Sequence, residues 1–424
     1  MRGNQTGGVF MKKLLFISVL VLLVTFAFAA RPVEIEVWTL SLSPTFDDYM
    51  NSVNEAFEEA YPDIKVNWVD VPYNAALQKL QAAIAANRAP DAVNLNTIWA
   101  LDMVGLEALA PLDEYMNEVE IYRYWEKLMD NTRVAGNYYA IPWYASPQIL
   151  IYNRQILEDA GLDPDNPPST WDEMLQASRI IKERTGKYGF EPNIIGYEDL
   201  ILEGVPLLSE DGEKAAFNTP EALAKLNWYI TLYNEDLIPR SLGGYTAGQQ
   251  NYSAGKIAMY PVGMSMLKHV QENSPSIYEV TDVAPIPVGE ASIIKSPMMN
   301  MVVPINAPHP AEAVKYILWL TSAYWQVEFD KHATIVPSTK IGLEQEKEFQ
   351  EMAKTSANAR AQIMASSSME NVADIGYIAG LENEKYAEFR RIIGDYWMAA
   401  IKGEIPAQEA LDKAEAEINE LLQD

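Results

Sequence analysis

The sequence contains no cysteine. That excludes disulfides, thiolate metal sites, a cysteine nucleophile and a lipid anchor carried on a cysteine behind an export signal. Stability must come from core packing, and 424 residues, 49% of them hydrophobic, give material for two domains. Histidine is nearly as scarce: His269, His309 and His332 show no spacing suited to a metal. No Gly-x-Ser-x-Gly elbow surrounds a serine. Gly248 and Gly255-Lys256 imitate a phosphate loop, but the glycines are too far apart and Ile257 stands where Ser or Thr is needed. Positive charge is also short, with 32 Lys and Arg against 59 Asp and Glu and a net charge of -27. This balance disfavours nucleic acid and anionic membrane as partners. So many acids make chance carboxylate pairs unavoidable, so an acid pair for sugar hydrolysis stays open.

Only one long apolar run is present. Lys12 and Lys13 precede it, Leu14 to Phe28 carries no charge, and Ala27-Phe28-Ala29 supplies a small-x-small cleavage pattern. The run is shorter than the roughly 20 residues of a membrane span. It is expected to be an export signal, residues 1–29, cut after Ala29, with Met11 a candidate for the true start. Its loss removes three cations and no acid, which moves the net charge from -27 to -30. The product is expected free in the periplasm.

The next segment alternates strands and helices. Val33, Ile35 and Val37 alternate with polar residues as in a strand. Ser43-Pro44 can open a helix whose apolar face is Phe46, Tyr49, Met50, Val53 and Phe57, ended by Tyr61-Pro62. A second strand (Ile64, Val66, Trp68), a second helix (Leu77, Leu80, Ala83, Ile84) and a third strand (Asp91 to Leu95) follow, which argues a parallel sheet. A further α/β stretch begins near Tyr144. Gln148 to Tyr152 suits a buried strand, and Thr170-Trp171-Asp172-Glu173 reads as a capping box for a helix stopped by Gly186. Helices are expected over about 220–234 and at the carboxyl end, where Ala407, Leu411, Ala414, Ile418 and Leu421 form a stripe.

Aromatics are abundant, with 10 Trp and 23 Tyr. Several fall where strands are expected to end: Trp38, Trp99 beside Asn96, and Trp143-Tyr144. In open α/β sheets ligands sit outside strand carboxyl ends. Aromatic faces there stack on sugar C–H groups, while amides and hydroxyls supply hydrogen bonds. Core packing explains any single one of these residues equally well.

Several ordered pieces make the chain similar to the family 1 extracellular solute-binding proteins, the maltose-binding-like class that feeds ABC importers. They are Ala56–Val66 (AFEEAYPDIKV), Ala89-Pro90-Asp91-Ala92-Val93, Tyr139-Ala140-Ile141-Pro142 with Leu150-Ile151-Tyr152-Asn153, Ala160-Gly161-Leu162 with Pro168–Glu173, and Ala254-Gly255-Lys256-Ile257-Ala258-Met259. Pro285-Ile286-Pro287 and Ala313–Ile317 complete the order. The resemblance covers nearly all of the chain behind the signal.

It implies an α/β, two-lobe periplasmic-binding-protein fold (type II) with the ligand cleft between lobes and three crossing segments, near Pro142–Ser146, Pro297–Asn300 and Val336–Ser338. The N-lobe would take 30–143 and 300–336, and the C-lobe 144–299 and 337–424, the last part helical. It implies hinge closure on a sugar or polyol, permease subunits of an ABC importer as partners, a monomer, and no enzyme activity, cofactor or metal. The implied ligand residues are Trp38 and Thr39, Asn96 and Trp99, Trp143 and Tyr144, and Glu191 and Asn193 around Pro192. Met264 stands where the family often has a stacking Trp. Asn300 lies at the second crossing, in a methionine-rich stretch where the family is often Gly-rich. Arg390 aligns with another stacking Trp. These departures favour a monosaccharide or cyclic polyol over a long oligosaccharide. The competing readings are a binder of a charged solute (a polyamine or phosphorylated polyol), a secreted glycoside hydrolase, and a structural envelope protein.

Overall fold

The computed structural model describes residues 31–340, 347, 350–375 and 383–423. The proposed signal lies outside them. The fold is α/β, organised around two main sheets.

In the first, β1 (Val33–Leu40), β2 (Ile64–Val71) and β3 (Ala92–Asn96) run parallel. A small hairpin, β4 (Arg133–Val134) and β5 (Asn137–Tyr138), precedes β6 (Ala140–Ala145). The second sheet takes β7 (Gln148–Asn153), β8 (Tyr188–Phe190), β9 (Ile257–Gly263) and β10 (Thr281–Ala284). After β11 (Ile294–Lys295), β12 (Met298–Val302) and β13 (Val336–Pro337) return to the first sheet, and β14 (Val372–Ala373) pairs with β11. The orders are β13-β6-β12-β3-β1-β2 and β10-β7-β9-β8. The first sheet is therefore parallel only among β1, β2 and β3; β12 pairs antiparallel with both β3 and β6. The second is antiparallel except between β8 and β9.

Strand alternation sends neighbouring residues into separate cores. Ile35 and Val37 pack under the helices Asp47–Ala60 and Pro310–Leu320, while Trp38 and Leu40 pack under Tyr73–Ala85 and Thr97–Gly105. In the second sheet Ile149 and Ile151 face one cluster and Leu150 and Tyr152 the other. The largest cluster takes in the helices Trp171–Thr185, Pro220–Asn234, Asn383–Ile401 and Ala407–Gln423. Among the described residues no helix is long and apolar enough to cross a membrane.

Two local expectations are corrected. The first helix starts at Asp47, not at Pro44. Asp70 at the end of β2 accepts the N–H groups of Leu42 and Ser43 at 3.0 and 3.2 Å, which holds this stretch as a turn. At the second site, Thr170 Oγ1 does cap Glu173 N–H at 3.1 Å, but the Glu173 carboxylate reaches one residue further back, to Ser169 N–H and Oγ, both at 2.8 Å. Gly186 ends this helix in the left-handed region (φ 71°), where a side chain is strained.

Trp397 joins the helix Asn383–Ile401 to this core. It is fully buried and its ring lies 6.0 Å from that of Tyr229. Trp397→Ala is expected to cost about 3–5 kcal/mol of folding free energy, read from the denaturant midpoint.

Candidate functional site

The carboxyl ends of β1, β2 and β3 lie at one edge of the first sheet: Leu40 pairs with Val71, and Asn96 with Met299, which pairs in turn with Tyr144. At this edge the chain passes between sheets. Ser146 N–H donates to Pro297 C=O at 3.0 Å, and Met264 N–H to Pro147 C=O at 3.3 Å. The facing edge of the second sheet is marked by Gln148 paired with Gly263, with the loop after β8 alongside. Strand ends of both sheets thus meet where such sheets hold ligands.

The first edge carries a half-exposed aromatic shelf. Asn96 caps the helix Thr97–Gly105 through Trp99 N–H (2.8 Å), and its amide donates to Tyr73 Oη (2.7 Å). The rings of Tyr73 and Trp99 lie 4.6 Å apart, tilted by 35°. Tyr73 N–H donates to Ser41 Oγ (2.9 Å), which fastens the shelf to the loop after β1. Tyr144 stands 5.4 Å from Phe329; burial pushes its hydroxyl pKa up, and Tyr73 adds to the effect. Asn96, Trp99 and Tyr144 are thus brought together, with Tyr73 as the member that sequence reasoning missed. Its only sequence signal was its position just behind β2.

The second edge carries Glu191 and Asn193. Glu191 is fully buried, accepts the Asn251 amide at 2.7 Å, and has a pKa raised by burial against that bond and the Gly243 backbone. Gly248 leaves room for Tyr260, whose ring would lie 2.6 Å from an added Cβ, and Tyr260 Oη donates to Tyr245 C=O at 2.8 Å. Asn193 is exposed. The Arg390 guanidinium lies 5.3 Å from the Tyr197 ring, and its charge draws down the carboxyl pKa of Asp102 against the larger upward push of burial. Asp102 sits on the helix that Asn96 caps, so opposite charges face each other from elements of the two sheets.

The other residues singled out in the sequence lie in the packed interior. β1 continues through Leu40, so Trp38 and Thr39 are within the strand instead of the loop after it. Trp38 Nε1–H donates to Glu36 at 2.6 Å, with Lys79 Nζ over its ring at 4.1 Å. Thr39 Oγ1 donates to Asp70 (2.8 Å) and accepts from Trp68 Nε1 (2.7 Å). Trp143 stacks on Phe329 at 5.3 Å, Met264 is enclosed, and Asn300 donates to Thr97 Oγ1 at 3.0 Å.

Beside Asn193 a cavity of about 60 Å³ enters the second core, with Gln148, Trp171, Glu198, Asp199 and Lys225 in its wall. Lys225 pairs with Glu203 at 2.6 Å and lies 4.7 and 5.1 Å from the rings of Trp171 and Trp228. Glu198 pairs with Lys295. Asp199 accepts Tyr229 Oη–H at 2.7 Å and Ile195 N–H at 3.1 Å, yet burial lifts its carboxyl to about 6. Among the described residues no group of acids and histidines is arranged to hold a metal.

The model of the family of bacterial extracellular solute-binding proteins matches residues 43–327. The mannitol-binding protein of Pseudomonas aeruginosa is 24% identical over 400 residues, 86% of this chain and 88% of that one. The sn-glycerol-3-phosphate-binding periplasmic protein of Salmonella typhimurium is 23% identical over 400 residues, 88% and 89% of the two chains. Among solved structures, one from Synechococcus sp. MITs9220, provisionally an oligosaccharide periplasmic-binding protein, superposes with a TM-score of 0.79 at 27% identity, covering 92% of this chain and 99% of that one.

Asp199 gives the site region a pH dependence. A carboxyl whose folded pKa is raised from 3.8 to about 6 contributes its full stability below the unfolded value and loses it as pH rises through the folded one. The loss is about 3 kcal/mol, on the order of 1.4 kcal/mol per pH unit of displacement. Asp199→Asn is expected to flatten the fall in stability between about pH 4 and 6, as measured by denaturation at each pH.

Proposed function

The chain belongs to the bacterial extracellular solute-binding proteins, and we propose that its ligand is an uncharged sugar or polyol delivered to an ABC importer. The observation that carries the ligand class is the shelf at the strand ends, where Asn96 bonds the Tyr73 hydroxyl and the Trp99 N–H, with Tyr144 near Tyr73. Aromatic faces with a fixed amide suit C–H faces and hydroxyls. The sugar and polyol names of several relatives agree with it. Arg390 is the residue that would favour a phosphorylated polyol. Asp102 opposes its charge, which weighs toward the neutral ligand.

In this reading each main sheet and its two cores form one lobe. The N-lobe is residues 30–143 with 300–336 and the C-lobe 144–299 with 337–424, joined through β6, β12 and β13. An open cleft takes the ligand, the lobes close by bending at these crossings, and the closed form is what permease subunits read. The ligand drives closure only through contacts with both lobes, here the Tyr73–Trp99–Tyr144 shelf and the Glu191–Asn193 loop. The protein works as a monomer in the periplasm after removal of residues 1–29, without cofactor or catalysis.

A thermal-shift series with mannitol, other polyols, mono- and oligosaccharides and glycerol 3-phosphate tests this. A cognate neutral ligand at 100 times its Kd adds about 2.7 kcal/mol and raises Tm by several degrees. Trp99→Ala is expected to weaken that ligand at least tenfold while leaving the unliganded Tm within about 2 °C. A response to glycerol 3-phosphate alone, lost in Arg390→Ala, would replace the neutral reading, and turnover of the sugar would make the protein a hydrolase.

A further inference from the structure

A second aromatic concavity lies away from the strand ends. A groove of about 680 Å³ runs between the carboxyl end of the helix Asp47–Ala60, the helix Pro310–Leu320 and the start of Ala323–Asp330. Tyr61 sits just before β2 begins, so the groove opens toward the amino ends of the strands and not onto the proposed cleft. Its volume falls within the roughly 300–1,000 Å³ of ordinary ligand clefts.

Four rings meet in it. Tyr61 and Trp319 lie 6.1 Å apart at 83°, Trp319 and Trp325 6.4 Å apart at 46°, and Trp325 and Tyr324 4.9 Å apart at 77°. The rings are anchored from below: Trp319 contacts buried Phe57 at 6.0 Å, and the Trp325 carbonyl accepts Tyr49 Oη–H at 2.9 Å. Tyr324 is 61% exposed.

The charge of the groove runs against that of the chain. Arg123 and Lys315 both line it and are exposed. Neither pairs with a carboxylate among the described residues, and Lys315 Nζ rests 5.3 Å from the Tyr61 ring. The acid present, Glu120, is engaged in the capping box with Asn117 at 2.9 Å. A protein of net charge -27 thus presents here two cations without a carboxylate partner among the described residues, beside rings set edge-on or tilted to one another.

We propose that this groove is a second saccharide site, separate from the cleft, and that it takes an acidic glycan unit: a pyranose carrying a carboxylate. The rings cover the C–H face, and Arg123 and Lys315 meet the carboxylate.

Titration of the mature protein with trigalacturonate, followed by tryptophan fluorescence and calorimetry, tests the site, with maltotriose as the neutral counterpart. Binding of trigalacturonate is expected to weaken at least tenfold in Arg123→Ala/Lys315→Ala and in Tyr324→Ala, to fall as salt rises, and to be unchanged in Trp99→Ala. These three groove positions are exposed, so the fold is retained, and an unchanged Tm checks it. No binding of trigalacturonate, equal binding of maltotriose in the groove, or loss of trigalacturonate only in Trp99→Ala would each overturn the proposal. So would binding to phosphatidylglycerol vesicles through Arg123 and Lys315 without any response to the glycan. Because neutral-sugar binding at the cleft is scored separately with Trp99→Ala, either reading can fail without the other.

Discussion

The hydrogen bonds among three short strands at the junction of the sheets are the constraint on which the other features depend. Ala145 of β6 is paired on one side with Met298 of β12 and on the other with Val336 of β13. Just beyond, Ser338 is held from several directions: its hydroxyl donates to Pro142 C=O at 2.6 Å, its N–H donates to Gln326 Oε1 at 2.6 Å, and its carbonyl accepts Trp125 N–H at 3.0 Å. These groups are buried, so each bond acts in a medium poorer than water at replacing it. Such a seam fixes which strand ends face each other. In the proposed function it is also where small changes of backbone angle swing one sheet and its cores against the other.

Charge is distributed by a second rule. The surface is strongly acidic, but ions near the interior come in matched sets: Lys225 with Glu203, Lys295 with Glu198, and, partly exposed, Arg360 and Arg154 with Asp282. Two buried carboxyls without a Lys or Arg in contact shift toward the neutral form. Asp199 keeps Lys225 only at longer range, and Asp330, whose pKa burial drives up, has the Gln362 amide at 2.6 Å instead. Asp330 and Gln362 join an element of the first sheet's core to one of the second's, so acid and amide there stitch the junction without a fixed charge.

Much of the chain could be read before folding because its signals are local. The face of Tyr49, Met50, Val53 and Phe57, the cap at Thr170, the stop at Gly186 and the bounds of the helix Pro220–Asn234 depend on residues within one or two turns. Register and pairing were less legible. A strand over Gln148 to Tyr152 was expected and is present, but its antiparallel neighbours come from more than 100 positions away, a choice made by packing and not by local pattern. The site shows the same division. Asn96 and Trp99 were read as lying at a strand end, a local feature, and that is where they lie. Trp38 and Thr39 were placed one step too far along, since where β1 ends depends on its pairing with β2 through Leu40 and Val71.

By itself the sequence determined the absence of cysteine chemistry, the acidic surface, the α/β alternation and the family, because these follow from composition and from ordered short-range motifs. Only the tertiary structure decided which aromatics are open. Trp143 and Tyr144 are adjacent and alike in sequence and both reach Phe329, yet Trp143 is fully buried while Tyr144 is only partly covered. Tyr73, unremarkable in sequence, gains its place from bonds to Ser41 and Asn96 on two other strand ends. Adjacent residues of a strand point to opposite faces, and which face is covered is set by segments far away in the chain.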